Sequence, residues 1–379
     1  MRKVAVLFGG KSCENEISIL TGVFVLNLLC REKYIPVPVY IHTDGGMYTS
    51  PKMNSLDVFK EKKYASFERV FFDGGSMYAL NAKKSKIRRL GKIDVALNCC
   101  HGGLGEGGGV SAMMEWNEIP LASPDLTASG VFMDKSLTKM LMRSLSVPTV
   151  DFIRVNERDY QKRGRFLLRS VEGRLKYPVI VKPAHLGSSI GIAVARNEEE
   201  VKEALQTAFT LDNRVIIEKY LENKRDVNCA AYSLRGEVFV SEPELSFGEG
   251  VYSFEEKYVK RAQDGGAPLG VTKGGNGGNS GVIALELRNQ IRAYTRTVYK
   301  RMNLSGVVRM DFLISKNQAY LCEVNTVPGS LAYYLFCERL SDARTFFGDL
   351  IEDAIERAKT EKKKIITTGI LNTAKITRK

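Results

Sequence analysis

Two apolar stretches near the end of the chain carry the residues best suited to chemistry. In Val308-Arg309-Met310-Asp311-Phe312 strand side chains alternate between faces, so Arg309 and Asp311 share one face. In Ala319-Tyr320-Leu321-Cys322-Glu323-Val324-Asn325 the same alternation pairs Glu323 with Asn325. If the chain reverses around Asn317, Asp311 lies opposite Glu323, and two carboxylates, an amide and a guanidinium converge. Like charges on neighbouring strands destabilise each other, so a cation is expected among them. These hard oxygen donors suit Mg²⁺, which completes its octahedron with waters and substrate phosphates. The bland alternative is a solvated outer face of a sheet.

A second group lies in the middle of the chain. Tyr177-Pro178-Val179-Ile180-Val181-Lys182 reads as a buried strand ending in a lysine, and a charge there is costly unless it meets an anion. Gly187-Ser188-Ser189-Ile190-Gly191 follows, with small residues, two hydroxyls and backbone N–H groups that can close over phosphates. Its alternative is a plain hairpin turn. Ile216-Ile217-Glu218-Lys219-Tyr220-Leu221 is an apolar strand with an acid near its end, placed to accept from an adenine amino group. Gly10-Lys11-Ser12 resembles the end of a P-loop, but that pattern needs glycine where Ala5 stands inside a strand. Gly103-Leu104-Gly105-Glu106-Gly107-Gly108 fits a dinucleotide fingerprint, with Asp125 about twenty residues on. The acid inside that run would repel pyrophosphate, and a lone match is weak.

The 379 residues allow two to three domains. With 44% hydrophobic and 26% charged residues the composition is that of a globular protein rather than a disordered or fibrous one. Val4–Phe8, Ile35–Ile41 and Asp94–Cys100 read as strands and 14–29 as a helix, a βαβ rhythm that predicts an open α/β domain to about residue 122 with a parallel sheet. Beyond it, helices are predicted over 135–145, 198–209, 280–302 and 341–359. Strands are predicted over 214–220, 227–234, 237–245, 306–315 and 319–326. Residues 263–281 hold eight glycines and read as a mobile loop.

Seven cysteines without a CxxC pair predict buried thiols rather than a zinc site. The longest apolar stretch is too short to span a bilayer and no signal-peptide pattern opens the chain, so it reads as cytoplasmic with no membrane partner. The net charge is +13, of which +7 (eight Lys or Arg against one acid) lies between Arg357 and Lys379. Such a tail suits nucleic acid, but solvation is the commoner reading, so no nucleic-acid partner is expected.

Taken in order, GGKSCENEIS, HGGLGEGG, MDKSLTK, VKPAHLGSSIGI, IIEKYL, FEEKY, RMDF and EVNTVPG resemble the D-alanine–D-alanine ligases of the ATP-grasp superfamily over nearly the whole chain. The resemblance implies an ATP-grasp fold. Residues 1–122 would form an N-terminal α/β substrate-binding domain, and 123–217 a central subdomain. Residues 218–360 would form a C-terminal subdomain with a lid loop, and 361–379 a basic tail. It implies that Lys135 and Lys182 contact ATP phosphates and that Ser188 and Ser189 cover them. Glu218, Lys219, Tyr220 and Leu221 would line the adenine, Asp226 would bind the ribose, and Lys257 would belong to a lid over 247–258. Asp311, Glu323 and Asn325 would hold two Mg²⁺ (Mn²⁺ being able to substitute), with Arg309 stabilising the transferred phosphoryl group. Glu14 would receive the first D-alanine's ammonium in a hydrogen-bonded set with Ser188 and Tyr258. His101 would lie near that substrate's carboxylate, and Gly329 would supply an oxyanion N–H. The family usually forms homodimers.

One segment departs from the family. Where hydroxyls usually bind the second substrate's carboxylate, this chain reads Ser330-Leu331-Ala332-Tyr333-Tyr334, so Ser330 and Tyr334 are the candidates for that role. The expected product is D-alanyl-D-alanine with ADP and phosphate, the alternative a related ligase making D-Ala-D-Ser or another dipeptide. A non-catalytic nucleotide- or nucleic-acid-binding protein is the reading from another class.

Overall fold

The computed structural model describes residues 1–62, 64, 67–81, 86–245, 283–361 and 368–370. The predicted lid with Lys257 and Tyr258, the glycine-rich 263–281 segment and most of the basic tail lie outside the described residues.

The first sheet is built from β1 (Arg2–Gly9), β2 (Tyr34–Ile41), β3 (Met47–Thr49), β4 (Glu68–Asp73), β5 (Ser76–Asn81), β6 (Lys86–Lys92) and β7 (Val95–Asn98), in the order β6-β5-β4-β3-β2-β1-β7. Only β2, β1 and β7 are parallel. β1 lies between two neighbours, which explains its unbroken run of fully buried residues from Val4 to Phe8. From β2 to β6 the sheet continues antiparallel, so the predicted parallel sheet is only its inner half. Helix α1 (Asn15–Leu28) crosses from β1 to β2, and the single turn α2 (Asp57–Lys60) follows β3.

In the HGGLGEGG region a wide helical turn, Gly105–Gly109, runs into α3 (Val110–Trp116). Asp125 caps α4 (Leu126–Met133), its carboxylate accepting the Ala128 N–H at 2.7 Å. The acid a dinucleotide would need for its ribose is thereby committed to a helix end. Asp134 likewise caps α5 (Lys135–Ser144), accepting from the N–H groups of Ser136 and Leu137.

The second sheet, in the order β10-β9-β11-β8, comprises β8 (Phe152–Asn156), β9 (Val179–Pro183), β10 (Ala193–Ala195) and β11 (Arg214–Lys219). It is covered by α6 (Glu157–Arg174) and α7 (Glu198–Phe209). Its core draws on residues 153–217 alone.

The third sheet runs β13-β12-β15-β16 from β12 (Arg225–Leu234), β13 (Glu237–Val240), β15 (Val307–Ser315) and β16 (Gln318–Asn325), with β14 (Glu244–Leu245) also on β12. The single strand expected over 237–245 is two, because Pro243 has no N–H to give the ladder. Helix α8 (Leu285–Arg301) packs on this sheet together with α4 and α5, whose Ala128, Phe132 and Met142 enter its core. The last helix, α9 (Asp342–Thr360), shares a core with α1 and β1 (Val4, Phe8, Leu26, Phe346 and Phe347). All seven cysteines are free thiols, four of them buried. Among the described residues no helix is long and apolar enough to cross a membrane.

Candidate active site

Strands β15 and β16 pair with Asp311 opposite Glu323 and Arg309 opposite Asn325. The cations expected among these acids are present. Arg309 donates to both Asp311 oxygens, from Nε at 2.7 Å and Nη2 at 2.9 Å, and Lys135 Nζ lies 3.4 Å from Glu323. Asn325 Nδ2 donates to Asp311 at 3.0 Å. The register slips one residue after Asp311, so Phe312 faces Leu321 and Cys322 is the extra residue of a bulge. Strict alternation would send Cys322 to the far face; the bulge instead leaves its Sγ 3.9 Å from Lys182 Nζ.

Lys182, at the end of β9, meets Glu218 of β11 at 2.9 Å. Glu218 is also 3.2 Å from Lys139 of α5, a lysine with no exposed surface. Burial alone would raise the Glu218 pKa, but the two ammonium groups outweigh it and hold the carboxyl well below its ordinary range. Lys139 was not singled out in the sequence, because it sits at helical spacing like any surface lysine.

Lys135 is fixed at both ends: its N–H donates to Ala184 at 3.0 Å and its Nζ to Leu186 at 2.5 Å. The loop beyond carries Ser188 and Ser189 with φ of 52° and 60°, a left-handed pair that turns successive N–H groups one way. Ser188 Oγ donates to Glu14, which precedes α1. Gly102 makes this approach possible, since with φ +66° a Cβ there would lie 2.6 Å from Glu14 Oε2. Tyr258, the third member of the expected set, lies outside the described residues, as does Lys257.

His101 is buried, with Nδ1 2.8 Å from the Val327 carbonyl and Nε2 2.8 Å from Thr21 Oγ1. The carbonyl can only accept, which assigns the proton to Nδ1 and makes Thr21 the donor to Nε2. Both ring nitrogens are thus used within the protein, and burial lowers the His101 pKa to about 4. Glu106, from the same loop, accepts from the N–H of Gly102 at 2.8 Å and of Val327 at 3.3 Å, and burial raises its pKa to about 7. The two side chains therefore grip the carbonyl and the N–H of Val327. In the sequence alone Glu106 serves only to disfavour pyrophosphate; its buried role depends on a contact more than two hundred residues away.

Downstream, a Cβ on Gly329 would meet nothing within 4 Å, so its backbone borders open space. Ser330, Leu331 and Ala332 all take left-handed φ near 50°. Ser330 is buried with its N–H 3.3 Å from Thr21 Oγ1, and Tyr334 Oη accepts from Arg309 Nη1 at 3.1 Å. Tyr334 therefore joins the β15 face. Between the second and third sheets, the Lys219 N–H donates to Asp151 and the Tyr220 N–H to Pro178, and Leu221 is half-buried. Asp226 pairs with Lys224 at 2.5 Å.

Lysines from helix α5 and strand β9 set against carboxylates on β15 and β16, beside a serine loop, are the arrangement of an ATP-grasp ligase. A solved D-alanine–D-alanine ligase from Coxiella burnetii superposes with a TM-score of 0.76 at 22% identity, over 95% of this chain and 97% of that one. The VanG D-Ala:D-Ser ligase of Enterococcus faecalis superposes at 0.69 and 23%, over 95% and 98%. In sequence, residues 3–124 match the D-ala D-ala ligase N-terminus model and 141–356 the C-terminus model. The D-alanine–D-alanine ligase of Thermosipho africanus is 34% identical over 96% of each chain. The chain belongs to the D-alanine–D-alanine ligase family.

Proposed function

We propose that this chain joins two D-alanines to D-alanyl-D-alanine for peptidoglycan synthesis, consuming ATP and releasing ADP and phosphate. One observation carries the reading: Arg309, Asp311, Glu323 and Asn325 converge on one strand pair with Lys135 and, beyond it, Lys182 and the serine loop. ATP phosphates would lie between Lys135, Lys182, Ser188 and Ser189. The adenine would lie along 218–221 and the ribose near Asp226. This reading divides the chain at about residues 122, 217 and 360.

A carboxylate is a poor electrophile, and phosphorylation to an acylphosphate activates it. Arg309 meets charge on the transferred phosphoryl group, held in place beforehand by its two bonds to Asp311. Asp311, Glu323 and Asn325 are the residues that would hold Mg²⁺, and the all-oxygen donor set fits it; the ions would neutralise phosphate charge. Glu14 receives the ammonium of the first D-alanine, and the Ser188 hydroxyl orients that carboxylate. The amine of the second D-alanine attacks the acyl carbon, and the Gly329 N–H, bordering open space, donates to the oxyanion. His101 supports this loop through Val327 rather than by touching substrate. Keeping water from the acylphosphate falls to the 247–258 segment and its Lys257 and Tyr258.

A homodimer in the cytoplasm, with small-molecule substrates, accompanies this reading. The departure at Ser330–Tyr334 leaves a second reading to test, in which the product is D-Ala-D-Ser or another dipeptide. ADP release with Mg-ATP across D-alanine, D-serine, D-lactate and L-amino acids, with products identified by mass, tests both. D-Ala-D-Ala as main product supports the first; a mixed dipeptide supports the second.

A further inference from the structure

His185 stands at the start of the serine loop, between the two carbonyls that hold Lys135, those of Ala184 and Leu186. Its Nδ1 lies 2.9 and 3.0 Å from the two oxygens of Asp212, and its own backbone N–H donates to Asp212 Oδ2 at 2.8 Å. Its Nε2 is 3.5 Å from Oδ2 of Asp134, the residue that caps α5 and immediately precedes Lys135. Arg214 of β11 joins the cluster, donating to Asp134 at 2.7 Å. Both ring nitrogens thus meet carboxylates, one after α7 and one at the start of α5, and only an imidazolium has a donor for each.

We propose that His185 is a positioning residue for nucleotide binding: as an imidazolium it ties the base of the serine loop to the helix that carries Lys135, and so sets the spacing between them. The inference rests on the reading of Lys135 and the serine loop as phosphate ligands. Both of its carboxylates must stay ionised, which Arg214 supports at Asp134. The hydrogen bonds to Asp134 and Asp212 raise the His185 pKa to about 9, so the tie is complete at neutral pH and loosens as pH rises towards that value.

The test uses the whole protein with Mg-ATP and D-alanine. The dissociation constant for Mg-ATP is measured by calorimetry, and kcat and KM for each substrate by ADP release, from pH 6 to 10.5. In the unmodified protein ATP affinity should fall on the alkaline side near pH 9. H185Q should weaken ATP binding about tenfold to a hundredfold at neutral pH, with a smaller effect on the D-alanine KM, and should remove the alkaline fall. H185R, whose guanidinium keeps its charge throughout, should recover much of the affinity and carry it past pH 9. D212N, which removes a carboxylate and leaves the histidine, should likewise weaken ATP binding at neutral pH and should move the alkaline fall to lower pH rather than remove it. Melting curves exclude variants that do not fold. Unchanged ATP affinity in both H185Q and D212N, or an alkaline fall indifferent to H185R, would overturn the proposal. A protein that binds ATP with these effects but makes no dipeptide would leave it standing and sink the functional reading; one that binds no ATP overturns both.

Discussion

Replacing Glu323 by glutamine keeps its shape and removes one of the two charges that face each other across β15 and β16. Turnover should fall by about a hundredfold to a thousandfold with little change in melting temperature; activity retained at ordinary Mg²⁺ concentrations would contradict the assignment of Asp311, Glu323 and Asn325 as metal-holding. Gly102→Ala makes a different demand. A left-handed φ and a Cβ 2.6 Å from Glu14 force that carboxylate to move, so the D-alanine KM should rise while ATP affinity changes less. Equal effects on both substrates would argue against Glu14 as the ammonium site. Arg309, Asp311, Glu323 and Asn325 were legible because alternation and a plausible turn place them together without any distant contact. Glu106, Thr21 and Lys139 were not. Each is an ordinary residue in its own segment, and its role is created by a partner from another part of the chain, such as Val327 for Glu106 and Glu218 for Lys139.

Among the elements, the left-handed turn over Ser330, Leu331 and Ala332 is the one that departs furthest from what L-residues prefer. Ala→Gly in an α-helix costs about 1 kcal/mol. At Ala332 relief of the left-handed conformation should offset that cost, leaving stability within about 0.5 kcal/mol. Ala354→Gly in α9, also buried, should show the full loss. Urea midpoints for the two variants make the comparison, and equal losses would mean that the turn is unstrained. Strands and helices with continuous or periodic apolar residues were readable, α7 to the residue. The antiparallel β3–β6 extension was not. Its edge strand Lys86–Lys92 is charged and largely exposed, as suits an edge, and so lacks the alternation that marks a half-buried strand. The bulge at Cys322 was equally hidden, since one extra residue leaves no compositional trace.

At the scale of the molecule, His101 and Glu106 give opposing contributions to the pH dependence of stability. His101 is neutral when folded down to about pH 4, so the unfolded chain binds the extra proton between about 4 and 6.5 and stability rises with pH there. Glu106 stays protonated when folded up to about pH 7, so between 4.5 and 7 stability falls as pH rises. Each is worth about 3 kcal/mol over its window, and where the windows overlap they cancel. Glu106→Gln should therefore expose the histidine: its melting temperature should climb from pH 4.5 to 6.5 more steeply than that of the unmodified protein. Parallel profiles would mean that Glu106 is ionised in the fold. Residues of the first sheet, the 327–335 segment and α9 bury one another in a single cluster, whereas the second sheet closes a core of its own. The segments that carry Glu14, His101 and Gly329, the residues proposed around the amino-acid site, thus belong to or border one shared core. The β8–β11 layer has no share in that core, and the Ser188 hydroxyl ties its serine loop to Glu14. In the proposed reaction, release of spent nucleotide would ask only that layer to shift, while the place where the peptide bond forms keeps its shape from one turnover to the next.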